Sequence, residues 1–285
     1  MPSIAPDSPP AARRSVRARL NYLGPSEGAP YIYYRVPPPG QAYTNMQDDP
    51  REVEITDLRE DPSRLSLAGD GIAFLKHGSA FAEFDDEARL HSAYFPEVEQ
   101  LACALLGVER AVTIDYAIRR RDHGPARPDG MPVAGNARRP IARVHGDFTP
   151  RSAPALVRRH MGAQADELLA GRYRILNFWR PIRGPLTDAP LALCHPGSVA
   201  AAHLAPIRQI LEQHDNEIFG LRHDPAHRWL YLSAMHADEA VVFSSYDSAR
   251  PCHAAVVAHS AFEDPTRPAD FVSRESFEQR VLAFG

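Results

Sequence analysis

The stretch Arg143-Val144-His145-Gly146-Asp147-Phe148-Thr149 constrains this chain more than any other. It reads as a short strand, opened by Ile141 and Val144 and broken at Pro150. Side chains alternate faces on an extended backbone, so His145 and Asp147 point the same way, an imidazole and a carboxylate aimed at one spot. Two of the three ligands of a facial 2-His-1-carboxylate iron site need that geometry, and the third must be a histidine brought in from elsewhere.

The same spacing recurs at His236/Asp238, between the apolar runs 229–235 and 240–244, where a polar hairpin connection is expected. This second pair leaves little chain before His259, the last histidine, for intervening strands. His145/Asp147 leaves room for a barrel.

At 285 residues, 44% hydrophobic and 24% charged, the chain suits one sizeable soluble core. A net charge of -4 gives no electrostatic basis for nucleic acid or an anionic membrane. No apolar run approaches the roughly 20 residues of a membrane helix. Residues 1–20, rich in Pro, Ala and Arg, read as a disordered N-terminal arm rather than a secretory signal. Cys103, Cys194 and Cys252 are scattered and odd in number, which suits free thiols in the cytoplasm and excludes a disulfide framework or a cysteine zinc cluster. Lys76 is the only lysine and reads as a solvent-facing strand end; the remaining positive charge is arginine, which binds carboxylates bidentately.

Residues 21–285 read as a single domain, with an N-terminal α/β part at 21–140 and a β core at 141–285. Residues 22–43 are a Tyr- and Pro-rich extended arm; 53–55 and 71–75 are strands. Asp85-Asp86 opens a helix whose apolar residues recur at helical spacing to Leu106, and Gly107 ends it. Residues 111–118 form a strand finishing in Arg119-Arg120-Arg121, read as a solvated basic edge. Residues 122–140 read equally as disorder or as a lid over the site. A helix follows from Pro150-Arg151-Ser152 through Leu169, ended by Gly171. Six strands are then expected at 173–180, 190–194, 228–232, 240–244, 254–258 and 277–284, with a short helical turn at 204–211. Together these give an α+β chain whose second half is an antiparallel sandwich or barrel.

His253 and His259 are separated by an even number and would face the same side of the strand at 254–258 and beyond. Arg274 and Arg280 likewise share parity near the C-terminus. A buried arginine needs a carboxylate, either an internal one from Glu275, Glu278 or Asp270, or that of a bound cosubstrate. Asn177 and Trp179 share one face of their strand and Arg180 takes the other; an inward Asn177 needs a partner, for which a bound carboxylate qualifies.

His145-x-Asp147, His259 within Ala258-His259-Ser260-Ala261-Phe262, and Arg274-x-Ser276 together resemble the iron(II)/2-oxoglutarate-dependent dioxygenases. More narrowly, Asn177-Phe178-Trp179-Arg180-Pro181, Gly184-Pro185-Leu186, Pro190-Leu191-Ala192-Leu193-Cys194, Tyr246-Asp247-Ser248 and Arg274-Glu275-Ser276 resemble the hydroxylase/desaturase branch. That branch includes a gibberellin desaturase and a methyltransferase-like family of a cephamycin pathway. The similarity runs from about Tyr22 to the C-terminus. One departure is His195, where relatives are expected to carry aspartate.

The resemblance implies a double-stranded β-helix (jelly-roll) core with N-terminal helices and an extended arm, and Fe(II) held by His145, Asp147 and His259. It also implies 2-oxoglutarate bound through Arg274 or Arg280, with Asn177 in support, and O2 as oxidant. The implied reaction is hydroxylation or desaturation of a small-molecule secondary metabolite, giving succinate and CO2. The alternative is a non-catalytic β-barrel that binds a small molecule. Methyl transfer and hydrolysis are disfavoured, because the chain has neither a Gly-x-Gly-x-x-Gly loop nor a Gly-x-Ser-x-Gly elbow. Substrate identity and oligomeric state are not written in the sequence.

Overall fold

In a computed structural model the described residues are 14–121 and 137–285. They form two sheets. The larger runs, in spatial order, β1 (Ser15–Leu23), β3 (Asp48–Asp57), β12 (Trp229–Tyr231), β9 (Leu191–Cys194), β14 (His259–Ala261), β7 (His145–Gly146), β11 (Asp215–Leu221), β10 (Leu204–Ile210) and β2 (Tyr31–Tyr33). The smaller runs β4 (Ile72–Lys76), β13 (Glu239–Asp247), β8 (Tyr173–Pro181), β15 (Glu275–Phe284), β5 (Arg110–Arg120) and β6 (Ala137–Arg138).

The alternation of each strand decides which residues lie between the sheets. Trp179, Val241 and Phe243 of the smaller sheet pack against Leu191, Leu193 and Leu230 of the larger one in one apolar cluster. The opposite parity of the same strands, Leu176, Phe178, Val242 and Phe277, turns outward and is covered by the helix Phe95–Leu106. That helix forms because Pro96 lies in its first turn, where its missing N–H costs no bond, and Gly107 closes it in the left-handed region at φ 63°. Phe95, Val98 and Ala102 fall on one stripe and make the contact. A third group, Val16, Ala18, Leu20 and Tyr22 of β1 with Trp229, Tyr231 and Cys194, fills the far end of the larger sheet.

Several expectations are corrected. Residues 15–20 belong to β1, paired antiparallel with β3, rather than to a disordered arm; residues 1–13 lie outside the described residues. Strands from the 21–140 part interleave with later strands in both sheets. The helical turn at 204–211 is β10, paired over its whole length with β11. Leu204, Ile207 and Leu211 fall at helical spacing, but the long-range pairing decides the conformation. The strand at 254–258 is absent: Cys252–Ala255 is a helical turn and β14 begins at His259. The arginine triplet is no solvated edge, since Arg119 is buried against Glu278, Arg120 pairs with Asp85, and Arg121 pairs with Asp188 and Glu263. Most of the loop at 122–140 lies outside the described residues. Among the described residues, no helix is long and apolar enough to cross a membrane.

Candidate functional site

His145 and His259 are directly opposed in the antiparallel pairing of β7 with β14, so both side chains leave the same face, their ring centroids 4.3 Å apart. Asp147 follows two residues after His145 and returns to that face. Gly146 between them cannot be anything larger, because a Cβ would collide with the side chain of Val256 behind the strand. One ligand atom from each of His145, Asp147 and His259 lies within 4.8 Å of the other two, and all three residues are buried. The expected trio is brought together. His253, on its helical turn, leaves the face it was expected to share.

The main chain sets the tautomer of both imidazoles. Nδ1 of His145 lies 2.8 Å from the carbonyl oxygen of Arg143, and Nδ1 of His259 lies 3.1 Å from that of Val257. A carbonyl can only accept, so each Nδ1 carries the proton and each Nε2 presents its lone pair. Both Nε2 atoms stand 3.9 Å from Oδ1 of Asp147. Burial, with His259 alongside, pushes His145 down to about 3, which keeps it a neutral donor.

Asp147 is held by side chains. Its Oδ2 accepts from Ser245 Oγ at 2.8 Å and from Asn177 Nδ2 at 3.4 Å, and its Oδ1 accepts from Arg280 Nη2 at 3.1 Å. Burial opposes its ionisation, but the Arg280 guanidinium holds the carboxyl far below the usual range. Ser245 was not expected. It is the extra residue of a bulge where β13 slips against β8, between Ser244 and Tyr246, and the bulge turns its hydroxyl inward. A bulge leaves no mark in the alternation of residue types, so sequence reading had no signal for it.

The two candidate arginines differ. Arg280 has committed both terminal nitrogens, Nη1 to Asp115 at 3.1 Å and Nη2 to Asp147 and to Glu278 at 3.2 Å. Glu278 also takes Arg119 at 2.7 Å; burial disfavours its charge, but Arg119 and Arg280 bring it down to about 2. Arg274 lies just before β15, 3% exposed, and donates to Ser276 Oγ at 2.9 Å and to the carbonyl of Ala189 at 2.7 Å. Its guanidinium is 5.1 Å from the centre of the Trp179 ring. None of these partners carries a charge, and it makes no ion pair among the described residues. Burial, and then Arg119, lower Arg274 to about 9.

Asn177 lies across from Arg280, and Trp179 across from Glu278, in the register of β8 with β15. They share one face as expected, and it is the interior one, while Arg180 turns outward against Phe84 and Tyr94. Asn177 Oδ1 and Trp179 Nε1 are buried without a hydrogen-bond partner among the described residues. His195 is elsewhere, paired with Asp70 at 3.1 Å. It borders a cavity of about 590 Å³ shared with His223, His227 and Arg228, which none of the three converging residues lines.

Comparison with known proteins bears on this arrangement. A family described as oxidoreductase/YMDC permease-like domain matches residues 20–284. The Fe(II)/2-oxoglutarate-dependent dioxygenase nvfI of Aspergillus novofumigatus is 30% identical over 262 residues, 89% of this chain and 91% of the relative. The hydroxylase/desaturase poxK of Penicillium oxalicum is 29% identical over 296 residues, 93% of this chain and 88% of the relative. The solved structure of the iron and alpha-ketoglutarate-dependent endoperoxidase NvfI superposes with a TM-score of 0.85 at 27% identity, covering 95% of this chain and 98% of that one.

Proposed function

We propose, from the premise that this chain belongs to the iron(II)/2-oxoglutarate-dependent dioxygenases and resembles their hydroxylase/desaturases, that His145, Asp147 and His259 hold its iron. The convergence of two imidazole Nε2 atoms and one carboxylate on a single buried point carries this reading. Nitrogen and carboxylate donors in a 2-His-1-carboxylate set suit iron(II). The paired sheets with inward-facing ligands support a double-stranded β-helix as the finer description of the fold. When bound, iron(II), 2-oxoglutarate and O2 supply the oxidising power, and succinate and CO2 leave.

The cosubstrate grip is assigned to Arg274 rather than Arg280. Arg274 is a buried cation whose guanidinium is hydrogen-bonded only to neutral groups, and a carboxylate would relieve it; Arg280 is already spent on three carboxylates. The unpartnered Trp179 Nε1 and Asn177 Oδ1 add one donor and one acceptor to the same inner face. The chain's share of the work is thus to fix three ligands, to orient a dicarboxylate by one end, and to exclude water around both. The substrate is a small molecule that is hydroxylated or desaturated beside this face. The non-catalytic alternative finds no support among relatives named as dioxygenases and hydroxylase/desaturases.

The test is anaerobic loading with iron(II) and 2-oxoglutarate, read by the weak visible metal-to-ligand charge-transfer band. Wild type gives the band, and His145→Ala and His259→Ala abolish it. Arg274→Gln raises the 2-oxoglutarate concentration needed, whereas Arg280→Gln acts mainly on iron retention through Asp147. A well-folded wild type that retains no iron and gives no band defeats the reading.

A further inference from the structure

Asp188 lies in the segment joining β8 to β9, is fully buried, and has no part in the arrangement described so far. Its Oδ1 accepts from Arg121 Nη1 and from Arg267 Nη1, each at 2.6 Å, and its Oδ2 accepts the main-chain N–H of Arg274 at 3.0 Å. The next residue, Ala189, sits at φ 46°, a left-handed conformation that is strained for a non-glycine residue. In that conformation its carbonyl accepts from Arg274 Nη1 at 2.7 Å. Two consecutive residues therefore grip Arg274 at both ends, the carboxylate on its backbone and the carbonyl on its guanidinium.

We propose that Asp188 is a positioning residue for the cosubstrate: through Arg274 it aims the one guanidinium that meets the distal carboxylate of 2-oxoglutarate. This rests on the assignment of Arg274 made above. Geometry is half of the effect. A carboxylate with three donors holds the 188–189 turn against its backbone strain, and without it Ala189 relaxes and its carbonyl swings off the guanidinium. Charge is the other half. Asp188, with Glu263, neutralises Arg121 and Arg267, so that these neighbouring guanidiniums are occupied while the guanidinium of Arg274 is hydrogen-bonded only to neutral groups. An incoming dicarboxylate then meets one unsatisfied cation in a fixed place rather than three competing ones.

The experiment compares two 2-oxo acids with the same chelating end. Iron-loaded protein is titrated anaerobically with 2-oxoglutarate and with 2-oxopentanoate, which lacks the distal carboxylate, and both are followed by the charge-transfer band without turnover. Asp188→Asn raises the dissociation constant for 2-oxoglutarate about tenfold and leaves that for 2-oxopentanoate within about twofold. In an Arg274→Gln background Asp188→Asn adds less than about twofold, because the residue through which it acts is already gone. Arg267→Gln, at a more exposed position, moves the same selectivity in the same direction by a smaller factor and serves if Asp188→Asn does not fold. Equal weakening of both acids, or a full additional factor on top of Arg274→Gln, overturns the proposal and leaves Asp188 a purely structural carboxylate. If Arg274→Gln itself leaves 2-oxoglutarate binding unchanged, the clamp assignment fails first and this inference goes with it.

Discussion

Two histidine clusters in this molecule are built from the same side chains and end in opposite roles. Between the sheets, His145 and His259 give their Nδ1 protons to main-chain carbonyls and leave both Nε2 lone pairs facing one carboxylate. Near the outer end of the larger sheet, His203 and His227 are joined head to tail, Nδ1 of the first 3.0 Å from Nε2 of the second. Ala200 N–H also points at that Nδ1, so it accepts, and His227 donates to it. His203 Nε2 then faces Asp224 at 3.4 Å, while His227 Nδ1 meets Tyr22 OH, which in turn accepts from Trp229 Nε1. Every ring nitrogen in the second cluster has a protein partner. Nitrogen left over, not histidine count, separates a binding site from a brace.

The strongest challenge to that contrast is to remove a ligand. His145→Ala or His259→Ala should lose iron by more than about 100-fold in affinity, beyond what outer-shell changes usually cost, as measured by metal retention after desalting. Next comes the hydroxyl that steadies Asp147: Ser245→Ala should weaken iron about tenfold while the charge-transfer band persists at saturating metal. A brace should respond in the other coordinate. His227→Gln should leave the band unchanged and lower stability by about 1–2 kcal/mol, read by denaturant unfolding.

The brace also predicts a pH dependence. Burial and then His203 push His227 down to about 4, with Asp224 opposing and His223 adding to the effect. The folded protein therefore keeps this ring neutral while the unfolded chain takes up a proton near the ordinary value of about 6.5. Its contribution to stability is complete above about 6.5 and is lost as the pH falls toward about 4. The iron-free protein should show a shallower slope across that window in His227→Gln than in wild type; equal slopes would remove His227 as the cause. The smallest effect is expected from the decoy pair. Asp238 meets Lys76 at 3.1 Å on an exposed turn, so Asp238→Asn should change stability by less than about 0.5 kcal/mol and iron binding not at all.

Sequence reading succeeded where one side chain's direction depends only on its own strand. His145 and Asp147 share a face by parity, as do Asn177 and Trp179, and the runs at 173–180, 240–244 and 277–284 lie within β8, β13 and β15. It failed where direction is set by pairing. Pro206 and the spacing of Leu204, Ile207 and Leu211 conceal β10, and the polar start of β11 conceals its partner. Ala254 to Ala258 is apolar enough for a strand, yet Pro251 opens a helical turn there instead. The same limit hid Ser245, which a bulge reorients, and Asp188, whose importance comes from arginines some 70 to 90 positions away in the chain. Parity likewise treats Arg274 and Arg280 alike, and only their partners in the structure tell them apart.

The two imidazoles take their hydrogen-bond orientation from carbonyls of the main chain, which every residue type supplies. Only Asp147 is held by side chains, those of Ser245, Asn177 and Arg280. Variation that reaches the converging trio without replacing any of its three residues is thus channelled into one corner of the site. A library built to diversify this enzyme's chemistry should begin at those three positions.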